Sequence, residues 1–210
     1  MKIIVIGAHP DDYEVGMGGT IHKHVSEGDE VYGIVVTDGE GIGKPEVRKN
    51  EAKKAAEVLG IKKVFFLGFP DRKVEYNHDV ISKIEDIINE IKPTRVYTHF
   101  NGDVHQDHRA ISLSTLTAAR KVKQLIFYES PTSQINFSPN FFVKFKDVTK
   151  KIEAIKAHSS VYDVSKRYFE INCIESVANF RGYQCNTEYA EAFKIFRYME
   201  EEKGINENDS

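Results

Sequence analysis

Cysteine, long apolar runs and an excess of either charge are all scarce in this chain of 210 residues. Its two cysteines, Cys173 and Cys185, sit neither in a CxxC pair nor beside a histidine, so no disulfide framework is available and both read as ordinary thiols. The first strand offers only IIVIGA before polar residues, too short for a signal-peptide core and far below a membrane span. A cytoplasmic protein is expected. Lys and Arg number 29 against 32 Asp and Glu, a net charge of -3, which gives no bulk electrostatic reason to expect nucleic acid or an anionic membrane as partner. A small or neutral partner fits better. No repeat, low-complexity tract or Pro/Ser linker marks a boundary, so residues 1–200 read as one domain and the polar EEKGINENDS, 201–210, as a frayed tail.

What the chain does have is alternation. Short apolar runs alternate with helical periodicity, the pattern of a mostly parallel sheet with helices on both faces. KIIVIGA, EVYGIVVTDG, KKVFFLGF and TRVYTHF read as strands, with QLIFYES and NFFVKF as two more. IHKHVSEG looks like the end of a helix closed by Gly28. KPEVRKNEAKKAAEVLG reads as a helix with Pro45 near its start and Gly60 after its end. In DVISKIEDIINEIKP, Ile81, Ile84, Ile87, Ile88 and Ile91 recur at helical spacing and Pro93 ends the pattern. DVTKKIEAIKAH is a further helix, with Asp147 as its cap. The expected class is a single-domain, Rossmann-like α/β fold, and open sheets of this kind bind ligands outside the carboxyl ends of their strands.

Two clusters fall at such ends. GAHPDDYEVG follows the first strand and carries His9, Asp11 and Asp12; NGDVHQDHRAIS follows TRVYTHF and carries His105, Asp107 and His108. A dinucleotide turn is a poor reading of the first, because GxGxxG needs glycine where His9 stands and two carboxylates would repel a phosphate. Gly16, Gly18 and Gly19 are instead expected to let a loop turn beneath the site. Singly, the HPDD stretch is also compatible with a helix-capping turn, and an HxxH pair with exposed helix-start residues. Jointly, the clusters match a site of two histidines and one carboxylate with an open position for water, which suits zinc and equally Fe(II).

These motifs resemble those of the LmbE-like deacetylases, the PIG-L superfamily of metal-dependent de-N-acetylases. AHPDD and HQDH match its two signatures, RKNEAKKAAEVLG matches its Arg-containing helix, and FYESP, KIEAIKAHSS and RGYQCNTEYAEAF match later blocks, so the likeness spans residues 3 to about 196. The resemblance implies that His9, Asp12 and His108 bind the metal, usually zinc, and that Asp11 is the general base. It implies that His105 faces the substrate carbonyl, where an imidazolium could stabilise the oxyanion, and that Asp107 orients its ring. Arg48 matches a position that reaches the substrate; the competing reading is a solvated face among Lys44, Lys49, Lys53 and Lys54. His158 and Tyr183 are candidates for the pocket rim or for structural roles, and His99 for a support of the site or a buried, hydrogen-bonded histidine. His22, His24 and His78 read as surface or helix residues. Tyr13 separates the aspartates from Glu14, and HSSVYD has Val161 where the family usually has Gln.

The expected activity is removal of acetyl from an N-acetylated amino sugar or sugar conjugate of the N-acetylglucosamine type. A metal-dependent amidase or esterase on a non-sugar substrate is the alternative within catalysis. A metal- or nucleotide-binding module without turnover is the alternative outside it. Similar proteins often form symmetric assemblies, so a homo-oligomer stays open.

Overall fold

The β-branched runs become strands and the periodic segments become helices in the computed structural model, which describes residues 1–133, 136–162 and 170–200. In chain order the elements are β1 (Lys2–Gly7), α1 (Asp12–Ser26), β2 (Glu30–Thr37), α2 (Pro45–Leu59), β3 (Lys63–Phe69), α3 (His78–Ile91) and β4 (Arg95–His99). There follow α4 (Gln106–Ala118), β5 (Gln124–Tyr128), β6 (Phe141–Phe145), α5 (Thr149–Lys156), the short α6 (Ser159–Tyr162), α7 (Ile171–Gln184) and β7 (Tyr189–Tyr198). The strands form one sheet in the order β3-β2-β1-β4-β5-β7-β6. β1 to β5 pair in parallel, whereas β7 pairs antiparallel with both β5 and β6.

Alternate strand residues feed two cores. Ile4, Ile6, Ile34, Val96 and Leu125 pack with Val80, Ile84 and Ile88 of α3 and Ile111 of α4. Ile3, Val5, Val35, Tyr97 and Ile126 pack on the other face with Met17 and Ile21 of α1, Leu59 of α2 and Ala154 of α5. The expected doubly covered α/β sheet is therefore present. β1 has β2 on one side and β4 on the other, so the winding reverses there, and the crevice between the carboxyl ends of β1 and β4 is the binding position of such sheets.

Helix ends follow the sequence closely. Pro45 opens α2, and Gly60 closes it at φ 79°, a left-handed conformation that glycine adopts without strain. At α5 the cap position falls to Val148, without a side-chain cap, and the expected Asp147 stands one residue earlier, where its Oδ1 accepts from the Thr149 N–H and hydroxyl at 2.8 and 2.6 Å.

Two further expectations are corrected. Gly16, Gly18 and Gly19 lie inside α1 and not in a loop. Their lack of a Cβ serves packing, since a Cβ on Gly16 would meet the Tyr128 ring at 2.5 Å and one on Gly19 the Phe145 ring at 2.7 Å. The second correction is β7, a ten-residue strand absent from the sequence reading. It hides because a buried acid interrupts its apolar face. α1 breaks its helical geometry at Met17 (φ -150°, ψ 27°), and Glu191 of β7 accepts the Gly19 and Thr20 N–H groups at 3.0 and 2.7 Å while pairing with buried Lys151 at 2.6 Å. The expected frayed tail, 201–210, lies outside the described residues. Among the described residues no helix is long and apolar enough to cross a membrane.

Overpacking of a tight contact costs about 1–3 kcal/mol. Gly16→Ala is expected to lose stability on that order in a denaturant titration; an unchanged midpoint would contradict the close approach of α1 to Tyr128.

Candidate metal centre

β1 ends at Gly7, and the chain then turns so that Asp12, the first residue of α1, accepts the backbone N–H of His9 at 2.7 Å. That bond bends the HPDD stretch and sets the His9 and Asp12 side chains side by side, His9 Nδ1 lying 3.4 Å from Asp12 Oδ2. From β4 the chain runs through residues 100–105 into α4, where His105 stands at the cap position and His108 in the first turn. His108 Nε2 is 3.4 Å from Asp12 Oδ1. One ligand atom from each of His9, Asp12 and His108 lies within 4.8 Å of the others, so these three residues could hold one divalent ion.

The outer nitrogen of each histidine is committed to a carboxylate. His9 Nε2 lies 3.1 Å from Asp71 Oδ1 and 3.2 Å from Asp107 Oδ2, and His108 Nδ1 lies 3.1 Å from Asp103 Oδ2. A proton held on those outer nitrogens leaves the lone pairs of His9 Nδ1 and His108 Nε2 turned toward Asp12, the arrangement that makes imidazole a metal ligand. Two other His/Asp groupings share residues with this one, His9–His105–Asp107 and His99–Asp103–His108. Their carboxylates are already used. Asp107 accepts from the Arg72 and Val74 N–H groups, and Asp103 from the His105 N–H and the Ser130 and Thr132 hydroxyls.

Electrostatics favours the same point. Burial works against the charge on Asp12, but the charges of His108, His99 and His9 outweigh it and hold the carboxyl well below its ordinary range. Burial likewise opposes protonation of His9 and His108, yet Asp12 and the outer carboxylates raise His9 well above its usual value and His108 to about 9. The donor set thus draws positive charge, which a divalent cation supplies in place of two protons. His99 is fully buried, takes the Ala8 N–H at 3.0 Å, lies 3.1 Å from Asp12 Oδ2 and stacks on His108 at 3.8 Å. Burial, and then the charge of His108, push it down to about 4. Both sequence readings of His99 describe it: it is buried and it backs the site.

His105 differs from expectation in two ways. Burial and then the charges of His108 and His9 lower its pKa, which disfavours the imidazolium form. Its Nδ1 accepts the backbone N–H of Asp107 at 3.3 Å, which leaves the proton on Nε2, while the Asp107 carboxylate turns to His9 instead of the His105 ring.

Asp11 adopts φ 118°, ψ -21°, a left-handed conformation unusual for a residue with a Cβ, and makes no side-chain cap of α1. Its Oδ2 accepts from Arg48 Nη2 at 2.8 Å, and the same nitrogen donates to the Pro10 carbonyl. Arg48 is only 2% exposed. The solvated-face reading fails, and the guanidinium is engaged with Asp11 rather than extended toward a substrate. His158 is not at a rim either; it is fully buried, 3.4 Å from fully buried Glu14, because α6 packs down on α2. Tyr183 stands 85% exposed near the end of α7, beside Asn186, Thr187 and Glu188 and apart from the His/Asp cluster. Val161 is packed among Phe145, Val148 and Ile174.

Sequence reasoning missed Asp71 and Asp103. Both follow strands that end at the site, in GFPDR and NGDVH, and the rule that located the two clusters would have found them. The His9 bond, against opposing burial, holds Asp71 down to about 2. Asp103 is held far below the carboxylate range by the His108 and Ser130 bonds, which outweigh its burial.

A mostly parallel sheet with a buried His/Asp cluster of this kind at its switch point defines a class, the α/β proteins with a candidate metal centre at the strand ends. The chain belongs to the PIG-L family, whose GlcNAc-PI de-N-acetylase profile matches residues 4–119. It is therefore a hydrolytic N-deacetylase of a metal-dependent family. It is 34% identical to an uncharacterized deacetylase of Escherichia coli, YaiS, over 75% of this chain and 90% of that protein. It is 28% identical to the diacetylchitobiose deacetylase of Thermococcus kodakarensis over 92% and 82% of the two chains. The conserved protein TT1542 of Thermus thermophilus superposes with a TM-score of 0.84 at 26% identity, covering 95% of this chain and 96% of its own.

Removing a carboxylate that orients a metal-bound histidine typically costs about 10–100-fold in metal affinity. Asp103→Asn is expected to weaken zinc binding by that factor, measured by competition with a chromophoric chelator; wild-type affinity would mean that His108 needs no support.

Proposed function

We propose that the protein is a zinc-dependent hydrolase that removes the N-acetyl group from an N-acetylated amino sugar or sugar conjugate of the N-acetylglucosamine type, releasing acetate and a free amine. The observation that carries the reading is the Asp12 carboxylate flanked by two imidazoles whose outer nitrogens are tied to Asp71, Asp107 and Asp103. His9, Asp12 and His108 would hold zinc, or Fe(II) in its place, and the bound ion would supply Lewis acidity toward the amide oxygen and toward a water, whose pKa it would bring toward about 7. Asp11 takes the proton from the attacking water. Arg48 fixes Asp11 Oδ2, which leaves Oδ1 to accept that proton and then deliver it to the departing amine nitrogen. His105 donates from Nε2 to the amide oxygen as negative charge develops there, a contact strongest in the transition state.

The family profile and the diacetylchitobiose deacetylase relative support an amino-sugar substrate. The near-neutral charge, which offers no footprint for a polyanion, supports a small one.

Acetate release from free, phosphorylated and glycosidically linked N-acetylglucosamine, with and without chelator, tests the proposal. Release from one or more of these, abolished by chelator and restored by zinc or Fe(II), is expected. No release from any of them by metal-loaded protein would overturn the sugar assignment. His105→Ala is expected to lower kcat by about 100–1,000-fold with little change in KM; a change confined to KM would remove His105 from the chemistry.

A further inference from the structure

Glu51 lies one turn beyond Arg48 on α2, is buried, and faces the same side of the helix. Its Oε1 accepts the Ser160 N–H at 2.7 Å and the Ser159 hydroxyl at 3.1 Å, and its Oε2 accepts the Ser160 hydroxyl at 2.6 Å. Although burial opposes the charge, the Ser160 bonds keep the carboxyl below its ordinary range. The same Oε2 lies 3.9 Å from Arg48 Nη1, whereas neither Nη1 nor Nε of Arg48 makes a hydrogen bond. Arg48 thus touches the base with Nη2 and is attracted from behind by a carboxylate that is itself fastened to α6.

This matters because of where Asp11 stands. A residue with a Cβ at φ 118° is strained and persists only if its surroundings hold it. The partner holding the Asp11 side chain, Arg48, has a long chain with many rotamers of its own. A misplacement of about 1 Å in a catalytic group can cost about 100-fold in rate.

We propose that Glu51 is a positioning residue for the reaction: fastened by Ser159 and Ser160, it holds Arg48 in the one orientation that presents Asp11 to the attacking water. The proposal rests on the reading of Asp11 as general base. The competing role for Glu51 is purely structural, tying α6 to α2.

A double-mutant cycle separates the two. Glu51→Gln keeps the shape and an acceptor for the serines but removes the charge that attracts Arg48. It is expected to lower kcat by about 10–100-fold with KM within about twofold, and with unchanged metal content and melting temperature. In an Arg48→Ala background the same change is expected to have no further effect on kcat. Wild-type kcat in Glu51→Gln, or an equal fold loss in both backgrounds, would overturn the proposal. Should Glu51→Gln fail to fold, Ser160→Ala, which removes one bond and leaves the Ser160 N–H in place, decides by the same cycle with a smaller loss of kcat. Asp11→Asn in the same assay keeps the two readings apart. An active Asp11→Asn protein overturns the assignment of the base and the inference with it, whereas an inactive one beside a wild-type Glu51→Gln overturns the inference alone.

Discussion

A buried carboxylate is costly unless charge surrounds it, and Asp12, at the junction of β1 and α1, sets that requirement for the whole site. Two imidazoles that favour the charged form, His9 from the end of β1 and His108 from α4, turn toward it, and the neutral ring of His99 from the end of β4 stands beside them. Behind His9 and His108 stand carboxylates in turn, Asp71 and Asp107 at one and Asp103 at the other. The layers alternate in sign outward from Asp12, and each needs a particular loop to deliver it. The loops after β1, β3 and β4 all open at the same edge of the parallel sheet, so the topology meets the demand.

The adjacent aspartates are sorted by a backbone turn. Asp12 has entered α1 and faces α4, while the left-handed conformation of Asp11 directs its side chain to Arg48 on α2. Neighbours in sequence therefore belong to different surroundings, one among imidazoles and the other beside a guanidinium. This division suits one carboxylate that binds a cation and one that moves a proton.

The parallel half of the fold was legible because its signals are local. The runs of β1 to β4, the isoleucine stripe of α3 and the Pro45 and Gly60 bounds of α2 each state their structure within a few residues. The two His/Asp clusters were legible through one further rule, that ligands gather at strand ends. What stayed hidden depends on long-range contacts. β7 was obscured by Glu191, whose burial makes sense only beside the break in α1 and Lys151. Arg48 looked like one more cation on a lysine-rich helix until Asp11 and Pro10 appeared as its partners. His158 and Tyr183 were grouped by likeness alone, and the packing of α6 and α7 buries the first against Glu14 and leaves the second in solvent.

The most direct test of the account compares two single-atom-type changes one residue apart. Metal content of Asp11→Asn and Asp12→Asn, both purified with zinc and measured by elemental analysis, reads out which aspartate binds the ion. The account predicts that Asp11→Asn retains a zinc ion in each chain and that Asp12→Asn loses it. Retention in both, or loss in Asp11→Asn with retention in Asp12→Asn, would contradict the division of labour on which the mechanism stands.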